Sequence, residues 1–247
     1  MMNLTLAAAW PPMLASFLAS LVEFVEALTV VLAIGTVRGW RSALAGSALA
    51  LLVLLVLVLV LGAALTRIPL DLVQFFVGAL LLLFGLRWLR KAILRAAGTI
   101  PLHDETAEFA EETRIFGAQA RAAGAWDRIA LAGAFKIVML EGVEVVFIVI
   151  AIGAAGHMLV PAGIGALAAL LIVLLLGVAI HRPLARVPEN TLKFIVGILL
   201  SAFGTFWAGE GNGIAWPEAD LALVALILLY ALVALACVPL AKTAVSR

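Results

Sequence analysis

Residues 21–35 read LVEFVEALTVVLAIG and residues 139–153 read MLEGVEVVFIVIAIG; seven of these fifteen positions are identical, at an offset of 118. Working outward, residues 67–78 (RIPLDLVQFFVG) and residues 186–197 (RVPENTLKFIVG) share five of twelve positions at an offset of 119. The correspondence continues through Phe84 and Phe203, Gly85 and Gly204, and Trp88 and Trp207. Shared apolar composition would align leucine with leucine. It would not align two glutamates, an Arg-x-Pro and a pair of glycines spaced by seven, so the chain is read as an internal duplication.

The surroundings of the repeats fix the solvent. Of the 247 residues 66% are hydrophobic and 13% charged, against about half and about a quarter in an average soluble domain. One core of a chain this size could not hide so much apolar surface. Residues 42–65 carry no charge at all, and about 20 apolar residues suffice for a helix to cross the hydrocarbon. Such runs are too long and too continuously apolar for barrel strands. Helices are expected at Met13–Val37, Ser42–Leu65, Leu70–Leu89, Ile129–Ile152, Ile164–Ile180, Leu192–Ala208 and Leu221–Leu240.

The expected fold class is therefore all-α: a polytopic membrane protein of seven transmembrane helices, built as two three-helix repeats plus a seventh helix. Three spans are an odd number, so the second repeat enters the membrane from the other side. The expected units are 1–97 (first repeat), 98–127 (an amphipathic, acidic cytoplasmic loop), 128–210 (second, inverted repeat) and 211–247 (external turn, seventh helix and tail). Pro69 and Pro188 suit the first turns of the third and sixth helices. Trp10, Trp40, Trp88, Trp126, Trp207 and Trp216 fall near expected helix ends, as an interfacial aromatic belt would.

Basic residues orient the chain. Arg67 alone falls on one side. Arg38, Arg41, Arg87, Arg90, Lys91, Arg95, Arg114, Arg121, Arg128, Arg182, Arg186, Lys242 and Arg247 fall on the other. The positive-inside rule then puts the N-terminus outside and the C-terminus in the cytoplasm, in a bacterial plasma (inner) membrane. No Lys or Arg precedes Arg38, so the first segment lacks the basic start of a secretory signal and is expected to be retained. The single Cys237 excludes a disulfide framework. No basic stripe interleaved with aromatics is visible, which sets nucleic acid aside as a partner. The acidic run His103, Asp104, Glu105, Glu108, Glu111 and Glu112 reads as one solvated face of a helix, with a metal-receiving patch as the alternative.

The chemistry rests on Glu23 and Glu26 in the first helix and Glu141 and Glu144 in the fourth. A spacing of three puts each pair on one helix face, about one turn apart. Each lies near the middle of its span, where an acidic residue costs about 2.5–3.5 kcal/mol on insertion scales. Bound cations, shared protons or basic partners could relieve that cost. Basic partners are scarce, because Lys136 and Lys193 read as snorkelling toward an interface. Carboxylate oxygens are hard donors suited to Mg, Ca, Mn and oxidised iron, and neighbouring carboxylates exchange protons readily. Thr29, one turn past Glu26, could add a hydroxyl, and Glu210 could add a carboxylate in the external turn. The competing reading is that the four glutamates only hydrogen-bond between helices. Gly78, Gly85, Gly197 and Gly204 suggest close helix packing. No nucleophile–base pair or cofactor motif is visible, so an enzyme is not expected, nor a permanently bound cofactor.

At these residues the chain resembles the iron permeases of the iron/lead transporter family, which have seven helices, an external N-terminus and R-E-x-x-E in helices one and four. Here those stretches read Val22-Glu23-Phe24-Val25-Glu26 and Leu140-Glu141-Gly142-Val143-Glu144. Both E-x-x-E cores match, while Val22 and Leu140 replace the motif arginines and remove two positive charges from the site. The acid spacing is also similar to that of a cation/proton antiporter family with E-x-G-D-K-T repeats, without its Gly-Asp and Lys-Thr. The resemblance implies a secondary transporter of a hard metal cation, iron or manganese, held by Glu23, Glu26, Glu141 and Glu144 between the repeats. Expected partners are the cation, protons, the bilayer, and a homodimer mate or partner subunit. The alternatives are a proton-coupled exporter of a small organic solute such as an amino acid, and a non-transporting scaffold.

Overall fold

The computed structural model describes residues 6–65, 69–118, 126–155, 158–180 and 189–245. Arg67, Arg121, Arg182, Arg186 and Arg247 of the orientation argument, with Pro188, lie outside the described residues. Among the described residues the fold is all helical, in eight helices: α1 (Leu6–Arg38), α2 (Trp40–Leu65), α3 (Leu70–Ala96), α4 (Glu105–Ala118), α5 (Arg128–Ala155), α6 (Leu159–Ile180), α7 (Glu189–Gly211) and α8 (Ala219–Val245).

Six of them (α1, α2, α3, α6, α7 and α8) are long and apolar enough to cross a membrane, so the chain is an integral membrane protein. The sequence anticipates a seventh span at α5. Within residues 128–153 of α5 every 18-residue stretch holds Lys136, Glu141 and Glu144, and it is this number of charges rather than a low hydropathy that sets α5 apart from the six. Its packing is nonetheless interior, against α1, α2, α3 and α6.

Three helix crossings organise the bundle: α3 on α7, α1 on α6 and α2 on α5. Each depends on glycines that bring backbones together. A Cβ at Gly46 (α2) would collide with the backbone at Leu131 (α5), and one at Gly165 (α6) with the backbone at Met13 (α1). Between α3 and α7, Gly78 faces Ala208, Gly85 faces Ser201 and Gly204 faces Leu82, as the small-residue faces suggested. Gly46 and Gly165 differ by 119 in number, and Met13 and Leu131 by 118, the same offsets as the two matched stretches of sequence. The largest buried cluster joins Ala15 and Ala19 of α1, Leu81 and Trp88 of α3, Ile148 and Ile152 of α5, and Leu200 and Trp207 of α7.

α1 and α3 end where α5 and α7 begin. Arg38, closing α1, pairs with Asp127 at 2.8 Å and donates to the carbonyl of Phe116 near the end of α4 at 2.9 Å. Asp127 in turn accepts the N–H groups of Ile129 (2.9 Å) and Ala130 (3.1 Å), capping the first turn of α5. Burial alone would raise the Asp127 carboxyl, but the Ala130 N–H and the Arg38 guanidinium hold it below its usual range. A single residue separates α1 from α2. It is Gly39, at φ 111°, a left-handed conformation open to glycine at little cost.

Two local expectations need correction. Trp88 and Trp207 are buried in the core rather than placed in an interfacial belt, because both sit where α3 and α7 pack with α1 and α5 in the largest buried cluster. Trp10, Trp40 and Trp126 do stand exposed. The acidic segment forms α4, which packs on α1. Glu111 faces outward as expected, whereas Glu105 is buried.

Candidate metal centre

Glu23 and Glu26 project from one face of α1, a turn apart. Glu23 is among the most enclosed side chains, 1% exposed. α5 brings Glu141 to the same place, and one carboxylate oxygen each of Glu23, Glu26 and Glu141 lies within 4.8 Å of the others. Among the described residues no donor reaches Oε1 of Glu23. A set of three carboxylates, Glu23 buried with an unsatisfied oxygen and Glu26 and Glu141 half-buried, supplies hard oxygen ligands for a cation. Glu144 stands outside this trio and is half-buried.

Lys193 was expected to snorkel, and it does not. It lies in the second turn of α7, 7% exposed, and its Nζ pairs with Oε1 of Glu26 and, at 3.2 Å, with Oε1 of Glu189 one turn back. The Trp88 ring lies 5.5 Å from the ammonium. A basic partner is thus present on the α1 side of the cluster. Arg95, near the end of α3, reaches Glu189 at 3.6 Å.

Beyond Glu189 the charged side chains continue into the segment after α3. Nε2 of His103 lies 2.9 Å from Oε2 of Glu189, 3.0 Å from Oε2 of Glu108 and 3.2 Å from Oε1 of Glu105. Hydrogen bonding to Glu105, then to Glu108 and Glu189, pushes the imidazole up to about 11. Burial raises the Glu105 carboxyl, against the lowering effect of His103 and Thr29.

Of the accessory residues, Thr29 donates its hydroxyl to Oε2 of Glu105, which ties α1 to α4. Glu210 is at the opposite end of the bundle, where Gln74 Nε2 donates to its Oε2 at 3.0 Å. The sequence reading missed Lys193, Glu189, His103, Glu105 and Glu108 as parts of one network. A signal was available: Glu105-x-x-Glu108 repeats the carboxylate spacing of the two motif pairs, and Glu189 and Lys193 stand four apart on one helix.

The family model described as ferrous iron uptake permease, iron-lead transporter, matches residues 109–238, more than half of the chain. The match runs from α4 into α8 and includes Glu141, Glu144, Glu189, Lys193 and Glu210. No curated protein and no solved structure matches the chain.

Proposed function

Because the chain belongs to the ferrous iron uptake permease, iron-lead transporter family, a family of permeases rather than enzymes, we propose that it is a secondary transporter of a hard metal cation, iron first and manganese second. The cation is the substrate, and Glu23, Glu26 and Glu141 hold it midway through the bundle, with Glu144 as the next carboxylate on the path. The observation that carries this reading is the meeting of two acidic side chains from α1 with one from α5 in a single cluster around the buried Glu23.

In this reading α5 is a seventh span, and α1–α3 and α5–α7 are inverted repeats. Several features support it. The glycine crossings of α1 on α6 and α2 on α5 correspond by repeat number. The end of α1 meets the start of α5 through Arg38 and Asp127, so these equivalent helices run in opposite directions. The end that carries Arg38, Arg95 and Lys91 is then cytoplasmic and the N-terminus external, by the positive-inside rule.

The physics of transport follows from the solvent. Carboxylates at this depth are costly when ionised and alone, so the trio exchanges one positive partner for another: a metal ion, protons, or the ammonium of Lys193. Rocking of the repeats about the trio exposes it to each side in turn. The test is flux of Fe2+ or Mn2+ into vesicles reconstituted with purified protein. Glu23→Gln or Glu141→Gln should abolish flux while the protein still inserts and elutes as one species. Wild-type flux in the double Glu23→Gln, Glu141→Gln variant would overturn the proposal.

A further inference from the structure

The His103 cluster is not explained by the central trio. We propose that His103, Glu105, Glu108 and Glu189 form a second, nitrogen-containing site for a first-row divalent cation at the end of the bundle where α1 and α3 finish. The inference rests on the transporter reading for its choice of ion, and it assigns the segment between α3 and α5 a binding role of its own.

The donor set is built rather than casual. His103 is fixed to α7 by a reciprocal pair: its N–H donates to Asn190 Oδ1 and its carbonyl accepts from Asn190 Nδ2, both at 3.1 Å. Glu105 is held by Thr29 of α1. Glu189 is held at the start of α7, 2% exposed, where its oxygens face His103, Lys193 and Arg95 as ion pairs without a well-aligned hydrogen bond from any described donor. Donor atoms of His103, Glu105 and Glu108 lie within 4.8 Å of one another, as do those of His103, Glu26 and Glu189.

One ring N–H can point at one acceptor, yet three carboxylates converge on Nε2. An ion beside Nε2 draws on more than one of them at once. Metal–ligand bonds of about 2.1 Å put neighbouring donors about 3.0 Å apart at right angles and about 3.4 Å apart in a tetrahedron. The 2.9–3.2 Å separations around Nε2 therefore fit the edges of a coordination shell. The carboxylates attract a doubly charged ion, which binds the neutral imidazole. An imidazole among carboxylates favours Fe2+, Mn2+ or Zn2+ over Mg2+ and Ca2+. Glu26 belongs to the trio and also approaches His103 and Glu189, so an ion can step from one site to the next through a shared ligand. The side chain of Glu108, 31% exposed, opens the far end to solvent.

The test is Mn2+ binding to the detergent-purified full chain, followed by electron paramagnetic resonance. Two ions per chain are expected, one of them showing nitrogen coupling. His103→Gln, and separately the more exposed Glu108→Gln, should weaken that ion by about tenfold or more. His103→Gln should also erase the nitrogen signal, leaving the other ion in place. Glu23→Gln combined with Glu141→Gln should do the reverse. Wild-type protein without nitrogen coupling, or full binding of both ions in both His103→Gln and Glu108→Gln, would overturn the second site. Loss of the nitrogen-coupled ion in His103→Gln beside full binding in the Glu23, Glu141 double variant would support the second site and overturn the trio.

Discussion

Gln74 and Lys193 stand at equivalent positions in the two repeated segments, and their surroundings differ. Gln74 gives a neutral amide to Glu210 at one end of the bundle. Lys193 carries a full charge to Glu26 and Glu189 toward the other. Around Lys193 the charges multiply, with Arg95, His103, Glu105 and Glu108 close by. Around Gln74 the packing is tight and largely apolar, with Gly211 pressed on the backbone at Asp71 and Phe75. The two matched segments keep their glutamate pairs, while the polar partners at these two positions differ. One end is thus closed by a single carboxylate held by an amide, and the other by a network of opposite charges.

The most severe way to break the contrast is to make the two positions alike. Lys193→Gln leaves Glu26 and Glu189 buried without their shared ammonium, and removing one partner of a buried pair costs about 3–5 kcal/mol. The expected outcome is a large fall in thermal stability and loss of metal flux, read by a melting assay and by vesicle uptake. If Lys193→Gln melts like the wild type, the ammonium is not the neutralising partner on the α1 side.

A smaller effect separates the glutamates within one helix. Glu141 joins the trio and Glu144 does not, so Glu141→Gln should weaken Mn2+ binding to the purified protein about tenfold or more, and Glu144→Gln by clearly less. Equal losses would mean that both carboxylates contact the ion at once. Smaller still is the neutral end: Gln74→Leu removes one hydrogen bond to Glu210, worth about 1 kcal/mol, and should leave metal affinity unchanged in the same titration.

A pH-dependent effect concerns the Arg38–Asp127 clasp. Asp127 has its folded-state pKa lowered, so its contribution to stability is present above the unfolded value. It is lost as the pH falls through the folded value. Melting temperature should therefore drop on acidification in the wild type, and drop less in Asp127→Asn, which is already destabilised near neutrality.

Much of this was legible from the sequence. The paired glutamates were visible because the duplication repeats them, and the helices because their apolar runs leave no other structure. α5 was read as a span like the others, although Lys136, Glu141 and Glu144 bring into it the charge that marks a site. Lys193 was misread because a lysine near the start of an apolar helix normally reaches for water. Its burial depends on the segment after α3 folding over that end, which no local pattern announces. Glu105 looked like one more solvated acid in an acidic run. Its partners are Thr29, 76 residues away, and His103, so its role is tertiary. The placement of Glu210 opposite Gln74 likewise joins residues 136 positions apart.

Whether the carboxylates of α1 and α5 serve one ion can be measured directly by a double-mutant cycle on Mn2+ affinity with Glu23→Gln, Glu141→Gln and both together. A shared ion predicts strong non-additivity, the second substitution adding little once the first is made. Losses that simply add would mean that the two carboxylates act independently, and would contradict a site formed between the two repeats.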